Sequence, residues 1–568
     1  MALHSAAAAA ALSALLLLSI AGLALCDTTP STPVSPSAAC NATTDPIFCR
    51  SVLPPGGKGD LYTYGLFSVA ESLAGARKFA ALVDRYLARH RLLSSSAIGA
   101  LRDCQLMAEL NVDFLTAAGA TIKSTDTLLD PQADDVHTLL SAILTNQQTC
   151  FDDLQAASGS WSDRGGLDAP IANGTKLYSL SLSLFTRAWV PTAKPAHSHK
   201  GGNNDPPHHG HGCKSKKPPA GRRGLFDVTD DEMVRRMAIE GPESTVAVNT
   251  VVTVDQSGAG NFTTIGDAVA AAPKNLNGST GYYVVYVLAG VYKENVVVPK
   301  NNKYIMMVGD GIGQTVVTGN RSVVDGWTTF QSATFAVVGQ GFVAMNMTFR
   351  NTAGTAKHQA VAFRSGADLS AYYGCSFEAY QDTLYTHSLR QFYRGCDVYG
   401  TVDYVFGNAA VVFQGCTFYS RLPLQGQCNT VTAQGRSDPN QNTGTSIQGS
   451  ALVAAPELAA NTAFTTLSYL GRPWKNFSRT VVMESYVGAL VDPAGWMPWS
   501  GDFALDTLYY AEYNNTGPGP DTSRRVAWPG FHVLGNGTNA GNFTVTSMVL
   551  GENWLPQTGV PFTSGLIS

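Results

Sequence analysis

The sequence predicts a mixed fold, in which an all-α four-helix bundle precedes an all-β domain wound as a β-helix. Between residues 76 and 156, apolar residues recur at three- and four-residue spacing, as on one face of a helix. From Val246 onward the period becomes two, in short β-rich runs separated by Gly, Asn and Asp. Within those runs, similar residues recur about 20 positions apart, which favours a solenoid over a sandwich.

The helical part covers residues 40–190 and has its clearest periodicity at 76–93, 97–117 and 135–156. Four helices joined by short links predict an up-down bundle. Cys40 and Cys49 are close in sequence, whereas Cys104 and Cys150 fall on two different predicted helices. In an oxidising compartment we expect the disulfides Cys40–Cys49 and Cys104–Cys150.

The β part covers residues 246–568 and contains pairs of residues that are one predicted coil apart. Cys375 and Cys396 are 21 positions apart, as are Asp382 and Asp403, and Cys416 follows Cys396 by 20. Equivalent positions on neighbouring coils stack at about 4.8 Å. The spacing therefore predicts two carboxylates that face the same way.

The same spacing makes a disulfide between Cys396 and Cys416 feasible. Cys375 is the competing partner, and Cys428 is left to pair elsewhere.

Two stacked carboxylates favour acid–base or nucleophilic chemistry. Like charges about 5 Å apart disfavour double ionisation, so one group stays protonated while the other remains an anion. Arg472, in a Gly-Arg-Pro-Trp turn, is the candidate that keeps one of them ionised. Trp474 in that turn offers a flat aromatic face to a ligand. Purely structural roles compete with this interpretation: aspartates that cap turns, glutamines that stack in ladders, and an Arg-Pro-Trp segment that packs at a corner.

Several motifs in the β part resemble, in order, the signatures of plant pectin methylesterases. They are Gly290-Val-Tyr-Lys-Glu, Gln359-Ala-Val-Ala, Gln381-Asp-Thr-Leu, Asp403-Tyr-Val-Phe-Gly and Leu470-Gly-Arg-Pro-Trp. The resemblance implies a right-handed parallel β-helix and an ester hydrolase that needs no metal and no organic cofactor. Tyr404 departs from the family, which usually has Phe there, and we expect activity to survive this change.

The resemblance also implies a role for each site residue. Asp403 would be the nucleophile and Asp382 the general acid and then base. Gln359 and Gln381 would stabilise the oxyanion, and Arg472 would orient Asp403. The residues expected to contact substrate are Thr329, Gln359, Arg472, Trp474, Phe406 and Trp496.

The helical part resembles the invertase/pectin methylesterase inhibitor domain, which implies a pro-region that silences the enzyme. Residues 191–245 form a linker, with almost no apolar residues between Pro191 and Gly224, in which the pair Arg222-Arg223 is the expected site for a processing protease. In the family a leucine follows such a pair, and Gly224 stands there in this chain. Arg235-Arg236 is a second candidate.

Residues 1–26 contain an apolar run typical of a secretory signal peptide, with a retained membrane anchor as the alternative. We therefore expect a cell-wall or extracellular protein. Sequons, among them Asn320-Arg-Ser, agree with this route. A net charge of −4 with pI near 6.3 gives no support for nucleic-acid binding.

Two other functions fit part of the pattern. Paired carboxylates also suit a retaining glycosidase, so a β-helix glycan depolymerase is one alternative. The other is an inhibitor protein that acts through the helical bundle, with the β part as a passenger. The intact motifs around Asp382, Asp403 and Arg472 favour the esterase, whose partner would be pectin.

Overall fold

The computed structural model describes residues 30–56, 58–89, 93–157, 165–190 and 246–567. The expected signal peptide (1–26) and the linker with Arg222-Arg223 lie outside the described residues. Within the described ranges, no helix combines the length and the apolar character needed to cross a membrane.

The N-terminal part is helical, as predicted. Two short helices, α1 (Pro36–Cys40) and α2 (Pro46–Val52), precede four long ones: α3 (Leu61–Leu87), α4 (Ser95–Ser124), α5 (Asp130–Ala156) and α6 (Gly165–Trp189). Capping side chains fix where two of the long helices begin: Asp60 accepts from the amide of Thr63, and Ser94 accepts from that of Ala97. The apolar faces of α3 to α6 then bury one another in a common core.

Two disulfides fasten this helical part, with the pairing that the sequence predicts. Cys40 and Cys49 join α1 to α2, and Cys104 and Cys150 join α4 to α5. All four cysteines are fully buried.

The C-terminal part is a parallel β-helix with three long sheets, whose neighbouring strands pair in parallel. The eleven-stranded sheet contains, in spatial order, β1 (Val248–Val254), β2 (Tyr282–Val287), β5 (Ile305–Gly309), β8 (Val343–Met345), β11 (Ser370–Tyr373), β14 (Arg390–Arg394), β17 (Ala410–Gln414), β20 (Gly444–Gln448), β23 (Arg479–Met483), β25 (Tyr509–Tyr513) and β26 (Phe531–Val533).

The other two sheets complete each coil. The seven-stranded sheet contains β22 (Ser468–Gly471), β19 (Asn429–Gln434), β16 (Val405–Gly407), β13 (Leu384–Thr386), β10 (Phe363–Ser365), β7 (Phe335–Val337) and β4 (Val296–Val298). The eight-stranded sheet contains β24 (Tyr486–Val487), β21 (Ala451–Ala454), β18 (Thr417–Ser420), β15 (Asp397–Gly400), β12 (Ser376–Glu378), β9 (Thr348–Asn351), β6 (Thr315–Gly319) and β3 (Gly290–Lys293).

Four short helices accompany the coils: α7 (Ile265–Ala271), α8 (Pro456–Ala459), α9 (Gly537–Gly541) and α10 (Val545–Val549).

Like residues stack from coil to coil inside the β-helix. The rings of Tyr372 and Tyr393 stack at 4.4 Å, and those of Tyr393 and Phe413 at 4.6 Å. Gly395, in the turn after β14, has φ of 58°, a left-handed conformation that favours glycine. Gly-Cys pairs occur at 374–375, 395–396 and 415–416, and all three glycines have positive φ, so the pairs mark the same tight turn on successive coils.

The expected Cys396–Cys416 disulfide is not formed, and this prediction is wrong. Cys375, Cys396, Cys416 and Cys428 are all free thiols. Stacked side chains on parallel coils point the same way at the strand spacing of about 4.8 Å, beyond the roughly 3.5–4.5 Å that disulfide-bonded Cβ atoms need. The thiol of Cys416 instead donates to the carbonyl of Tyr393 on the preceding coil.

One corner of the β-helix contains the two predicted site aspartates. It is where the chain passes from a strand of the eight-stranded sheet to the next strand of the seven-stranded sheet, and we call it the groove corner. Its loops include residues 320–334, 352–362, 379–383 and 401–404. The helical part packs against this corner, because side chains of α3 to α5 share an apolar cluster with residues of the corner loops and the seven-stranded sheet.

Candidate active site

Asp382 and Asp403 occupy equivalent positions on adjacent coils of the groove corner. Each lies two residues before its strand, and β13 pairs with β16 so that Leu384 lies opposite Val405. The register therefore sets the two aspartates one strand spacing apart, about 4.8 Å along the axis. Both have left-handed backbones, with φ of 61° and 53°, a conformation that aspartate tolerates better than most residues. Both are also buried, with 8% and 6% of their surface exposed.

Asp403 is held by three side-chain hydrogen bonds. Arg472 donates from Nε to Oδ1 at 2.8 Å and from Nη2 to Oδ2 at 2.7 Å. Thr430 donates from Oγ1 to Oδ1 at 2.7 Å and accepts from the backbone amide of Asp403. This bidentate grip favours the ionised carboxylate and fixes its orientation.

Asp382 has a different environment. Its carboxyl oxygens accept no hydrogen bond from a described residue, and it forms no ion pair among them. Burial, together with the charge of Asp403, raises the pKa of Asp382 well above its usual range, and the charge of Arg472 offsets this only in part. The site thus holds one protonated acid beside one anion, which is the division of roles that acid–base catalysis needs.

Both predicted glutamines lie in the same pocket, which has a volume of about 320 Å³. Gln359 and Gln381 line it together with the two aspartates and Thr329. Neither glutamine side chain is hydrogen-bonded to a described residue. Their amide groups are therefore free to donate to a negative oxygen in the pocket.

Aromatic rings form one wall of the pocket. Phe406 stacks on Tyr385 with ring centroids 4.1 Å apart and contacts Trp474 at 6.0 Å. Trp499 covers the guanidinium of Arg472 at 4.5 Å. Such faces suit the apolar side of a sugar ring.

The structure places one predicted contact residue elsewhere. Trp496 is only 1% exposed, stacks on Tyr510 in the core and does not line the pocket. Trp499, three positions later, lies where Trp496 was expected.

Sequence reasoning also missed Tyr385, although a signal was available. Tyr385 lies opposite Phe406 in the pairing of β13 with β16, the same 21-residue spacing as the aspartates. Nothing in the local sequence marks Thr430, whose hydroxyl reaches Asp403 from the following coil.

Helix α5 supplies the opposite wall of the pocket. Thr149, Asp152, Asp153 and Ala156 line it together with the catalytic candidates. Burial, and after it the charge of neighbouring Asp103, raises the pKa of Asp153 well above its usual range. The helical part therefore covers the pocket in this structure.

Polar contacts between the helical part and the β-helix stabilise this arrangement. Asp103 on α4 accepts from Oγ1 of Thr328 at 2.6 Å and from Nε2 of Gln331 at 2.7 Å. On α5, Asp152 pairs with Lys475 at 2.8 Å, and Thr149 lies 2.9 Å from Nε2 of His387.

A buried arginine spans the same interface. Arg390 of β14 pairs with Asp368 of its own domain and with Asp134 and Asp135 of α5, at 2.7 to 2.9 Å. Its side chain is only 5% exposed.

The arrangement has the parts of an acyl-transfer site. It contains a fixed anion as nucleophile, a protonated acid one coil away, two free amides for an oxyanion and a flat aromatic wall. The pocket is large enough for a sugar-sized group.

Comparison with known proteins agrees with this geometry. A family model described as Pectinesterase matches residues 250–552, and one described as Plant invertase/pectin methylesterase inhibitor matches residues 35–184. Two Arabidopsis thaliana proteins, probable pectinesterase/pectinesterase inhibitors 41 and 20, are 54% and 53% identical to this chain. Each alignment covers 94% of this chain, with 95% and 94% of the respective relative.

A solved structure, pectin methylesterase from carrot, is 54% identical with a TM-score of 0.55. It covers 57% of this chain and 100% of its own. The chain therefore belongs to the pectinesterase family and carries a region of the plant invertase/pectin methylesterase inhibitor family ahead of its β-helix.

Proposed function

We infer that this chain hydrolyses the methyl esters of pectin, releasing methanol and leaving the galacturonan backbone intact. The observation that carries the inference is the unequal pair of acids: Asp403 gripped by Arg472, and Asp382 without a counter-ion one coil away. Family membership supplies the substrate class, because the carrot relative is a pectin methylesterase.

In the first step the carboxylate of Asp403 attacks the carbonyl carbon of the ester. The amides of Gln359 and Gln381 stabilise the negative oxygen that forms. As the bond to the methoxy oxygen breaks, Asp382 gives that oxygen its proton, and methanol leaves. The product is an acyl-enzyme anhydride on Asp403.

In the second step Asp382, now ionised, takes a proton from water. The resulting hydroxide attacks the same acyl carbon and breaks its bond to Asp403. The galacturonate leaves with a free carboxyl group, Asp403 is again a carboxylate, and Asp382 is again protonated. Arg472 keeps Asp403 in place and stabilises it as the leaving group.

Residues 246–568 are proposed as the catalytic domain. The whole carrot chain aligns with 57% of this chain, which supports a β-helical part that folds without the bundle. Incubating that part with methylated pectin tests the reaction, with methanol and new reducing ends measured in the same sample. We expect methanol without reducing ends. New reducing ends would indicate a depolymerase, and neither product would favour the inhibitor function.

The helical domain, residues 40–190, is proposed to inhibit the catalytic domain of the same chain. Asp152 and Asp153 of α5 line the pocket that contains the two catalytic aspartates, and Thr149 lines it beside them. A galacturonan cannot lie on the aromatic wall while those side chains are there. Relief of inhibition would require cleavage of the linker, and Arg222-Arg223 is the proposed position.

Comparing the intact chain with the chain cut in the linker tests this inhibition. We expect much faster methanol release after the cut. Equal rates before and after would refute it.

Export to the cell wall is the proposed route for the protein. The two disulfides of the helical part suit an oxidising compartment, and a methylated galacturonan substrate would be met outside the cell. Fractionation of a tagged protein would test this, and retention inside the cell would contradict it.

A further inference from the structure

We propose that a second pocket on the groove corner binds the free carboxylate of an already de-esterified galacturonate unit. This inference rests on the proposed function and adds to it a preference for partly de-esterified polymer. The pocket has a volume of about 420 Å³ and is built from residues 320–334 and 352–362.

The pocket belongs to the same corner as the catalytic aspartates. Its loops precede β7 and β10, and β10 in turn pairs with β13, which follows Asp382. Two strand spacings, about 10 Å, therefore separate the coil of β7 from that of Asp382 along the axis. A direct bond connects the two regions, because the amide of Val323 donates to the carbonyl of Gln359 at 3.0 Å. A polymer that lies along the corner from the catalytic pocket would reach this second pocket.

The pocket contains a cation that lacks a protein counter-ion. The guanidinium of Arg321 lies 4.0 Å from the ring centroid of Trp327 and forms no ion pair or side-chain hydrogen bond with any described residue. Burial lowers the pKa of Arg321, as expected for a charge that loses water and gains no partner. The backbone of Arg321 is fixed, since its carbonyl accepts from Asn351 at 2.9 Å.

The other charges of the pocket cancel. Lys357 pairs with Asp325, whose second oxygen accepts from the hydroxyl of Ser322 at 2.7 Å. The bonds from Lys357 and Ser322 lower the pKa of Asp325, so it remains an anion that neutralises Lys357. Arg321 is therefore the surplus charge, and a carboxylate is the group that its planar fork binds best.

Trp327 supplies the second feature of a uronate site. The guanidinium of Arg321 lies over the indole ring, and 37% of the Trp327 side chain remains exposed. A sugar ring on the open part of the indole would bring its carboxylate towards the guanidinium. The combination recognises an acidic sugar more specifically than a cation alone.

The pocket on the opposite flank of the corner offers a contrast. It has a volume of about 570 Å³, follows β21, and is lined only by uncharged residues among those described, such as Leu458, Phe464 and Thr466. A methyl-esterified segment is uncharged, and a de-esterified one carries an anion on every unit. The distribution of charge therefore favours the acidic segment on the side of Arg321.

The helical domain leaves this pocket accessible. No described residue of α1 to α6 lines it, whereas α5 lines the catalytic pocket. Binding at Arg321 can therefore be measured on the intact chain, in which the catalytic pocket is covered.

The test is calorimetric titration of the intact chain in an Asn320→Gln background, which serves as the unsubstituted reference and removes the sequon that borders the pocket. One ligand is a de-esterified oligogalacturonate, and the other is its fully methyl-esterified counterpart of the same length. We expect the acid to bind about tenfold more tightly than the ester, because only the acid makes a charge-assisted contact with Arg321. We expect Arg321→Gln to remove that preference and Trp327→Ala to weaken binding of both ligands.

A matched control is Lys293→Gln, which removes one exposed positive charge from β3 of the same β-helix. It should bind the acid as the unsubstituted chain does, and thermal unfolding of every variant should be unchanged. Equal affinity for acid and ester, or an unaffected Arg321→Gln variant, would overturn the proposal.

The binding test and the methanol-release test can fail independently of each other. Equal affinity of the unsubstituted chain for acid and ester, with methanol release by the β-helical part intact, refutes only the second pocket. Acid binding without methanol release from the β-helical part refutes only the reaction.

Discussion

Asp103 offers the most direct way to loosen the inhibitory domain without touching the catalytic residues. It lies on α4, is 3% exposed, and accepts hydrogen bonds from Thr328 and Gln331 of the β-helix. Asp103→Ala removes both bonds; the hydroxyl of Thr328 loses its acceptor, whereas Nε2 of Gln331 keeps its bond to the carbonyl of Gly99. We expect the equilibrium between the covered and the uncovered pocket to shift towards the uncovered state.

The magnitude depends on the charge of Asp103. Burial raises the pKa of Asp103 to about 6 in the docked state, whereas its ordinary pKa is about 3.9. At about pH 3.5 the group is therefore mostly neutral in both states, and docking requires little proton uptake. Each of its two bonds then contributes about 1 kcal/mol, so the substitution costs about 2 kcal/mol. That free energy corresponds to about a 30-fold increase in the uncovered fraction.

The assay is methanol release by the intact, uncut chain at about pH 3.5, divided by the rate after linker cleavage. Asp113→Ala is the matched control on the same helix, because Asp113 also pairs with the β-helix, through Lys300 at 2.8 Å, but is 54% exposed. An exposed pair contributes less than about 1 kcal/mol, so this control should change the ratio less than about fivefold. An unchanged ratio for Asp103→Ala, with the fold intact, would refute the reasoning about this interface.

Two further predictions concern the charges of the site and of the interface. Arg472→Lys keeps the charge but replaces the fork on Asp403 by a single ammonium. Loss of one bond of about 1.5–3 kcal/mol should reduce kcat by roughly 10- to 150-fold and lower the melting temperature by a few degrees, and an unchanged kcat would contradict the proposed grip. Burial raises the pKa values of Asp103 and Asp153 in the docked state, so docking is fully stabilised below their ordinary pKa values and weakens as pH rises through about 6. The ratio of intact-chain to cut-chain activity should therefore rise from about pH 5 to about pH 7.5, and a flat ratio would contradict this linkage.

The architecture was predictable because both domains have regular periods. Helical spacing marked the long helices, and the 21-residue recurrence placed Asp382 and Asp403 on adjacent coils, as the pairing of β13 with β16 bears out. The disulfides of the helical part were also predictable, since helices packed side by side can bring Cys104 and Cys150 together.

Other features depend on geometry that a linear pattern does not carry. Stacking of Cys396 on Cys416 suggested a bond, but parallel coils hold such side chains side by side. Trp496 and Trp499 are three positions apart in a loop, and only the fold shows which one faces the pocket.

The docking of the two domains is the feature furthest from prediction. Asp103 and Thr328 meet across 225 positions in sequence, and no local signal connects them. Contacts of this kind depend on the shape of both finished domains.

The central claim is that Asp403 attacks the ester, and Asp403→Asn in the β-helical part tests it most directly. The amide is nearly isosteric with the carboxyl group but is not a nucleophile of comparable strength. The matched control is Asp397→Asn, on β15 of the same coil and away from the pocket. We predict a fall in methanol release of at least about a thousandfold for Asp403→Asn, unchanged release for Asp397→Asn, and normal unfolding of both. Near-normal methanol release by the Asp403→Asn variant would contradict the account.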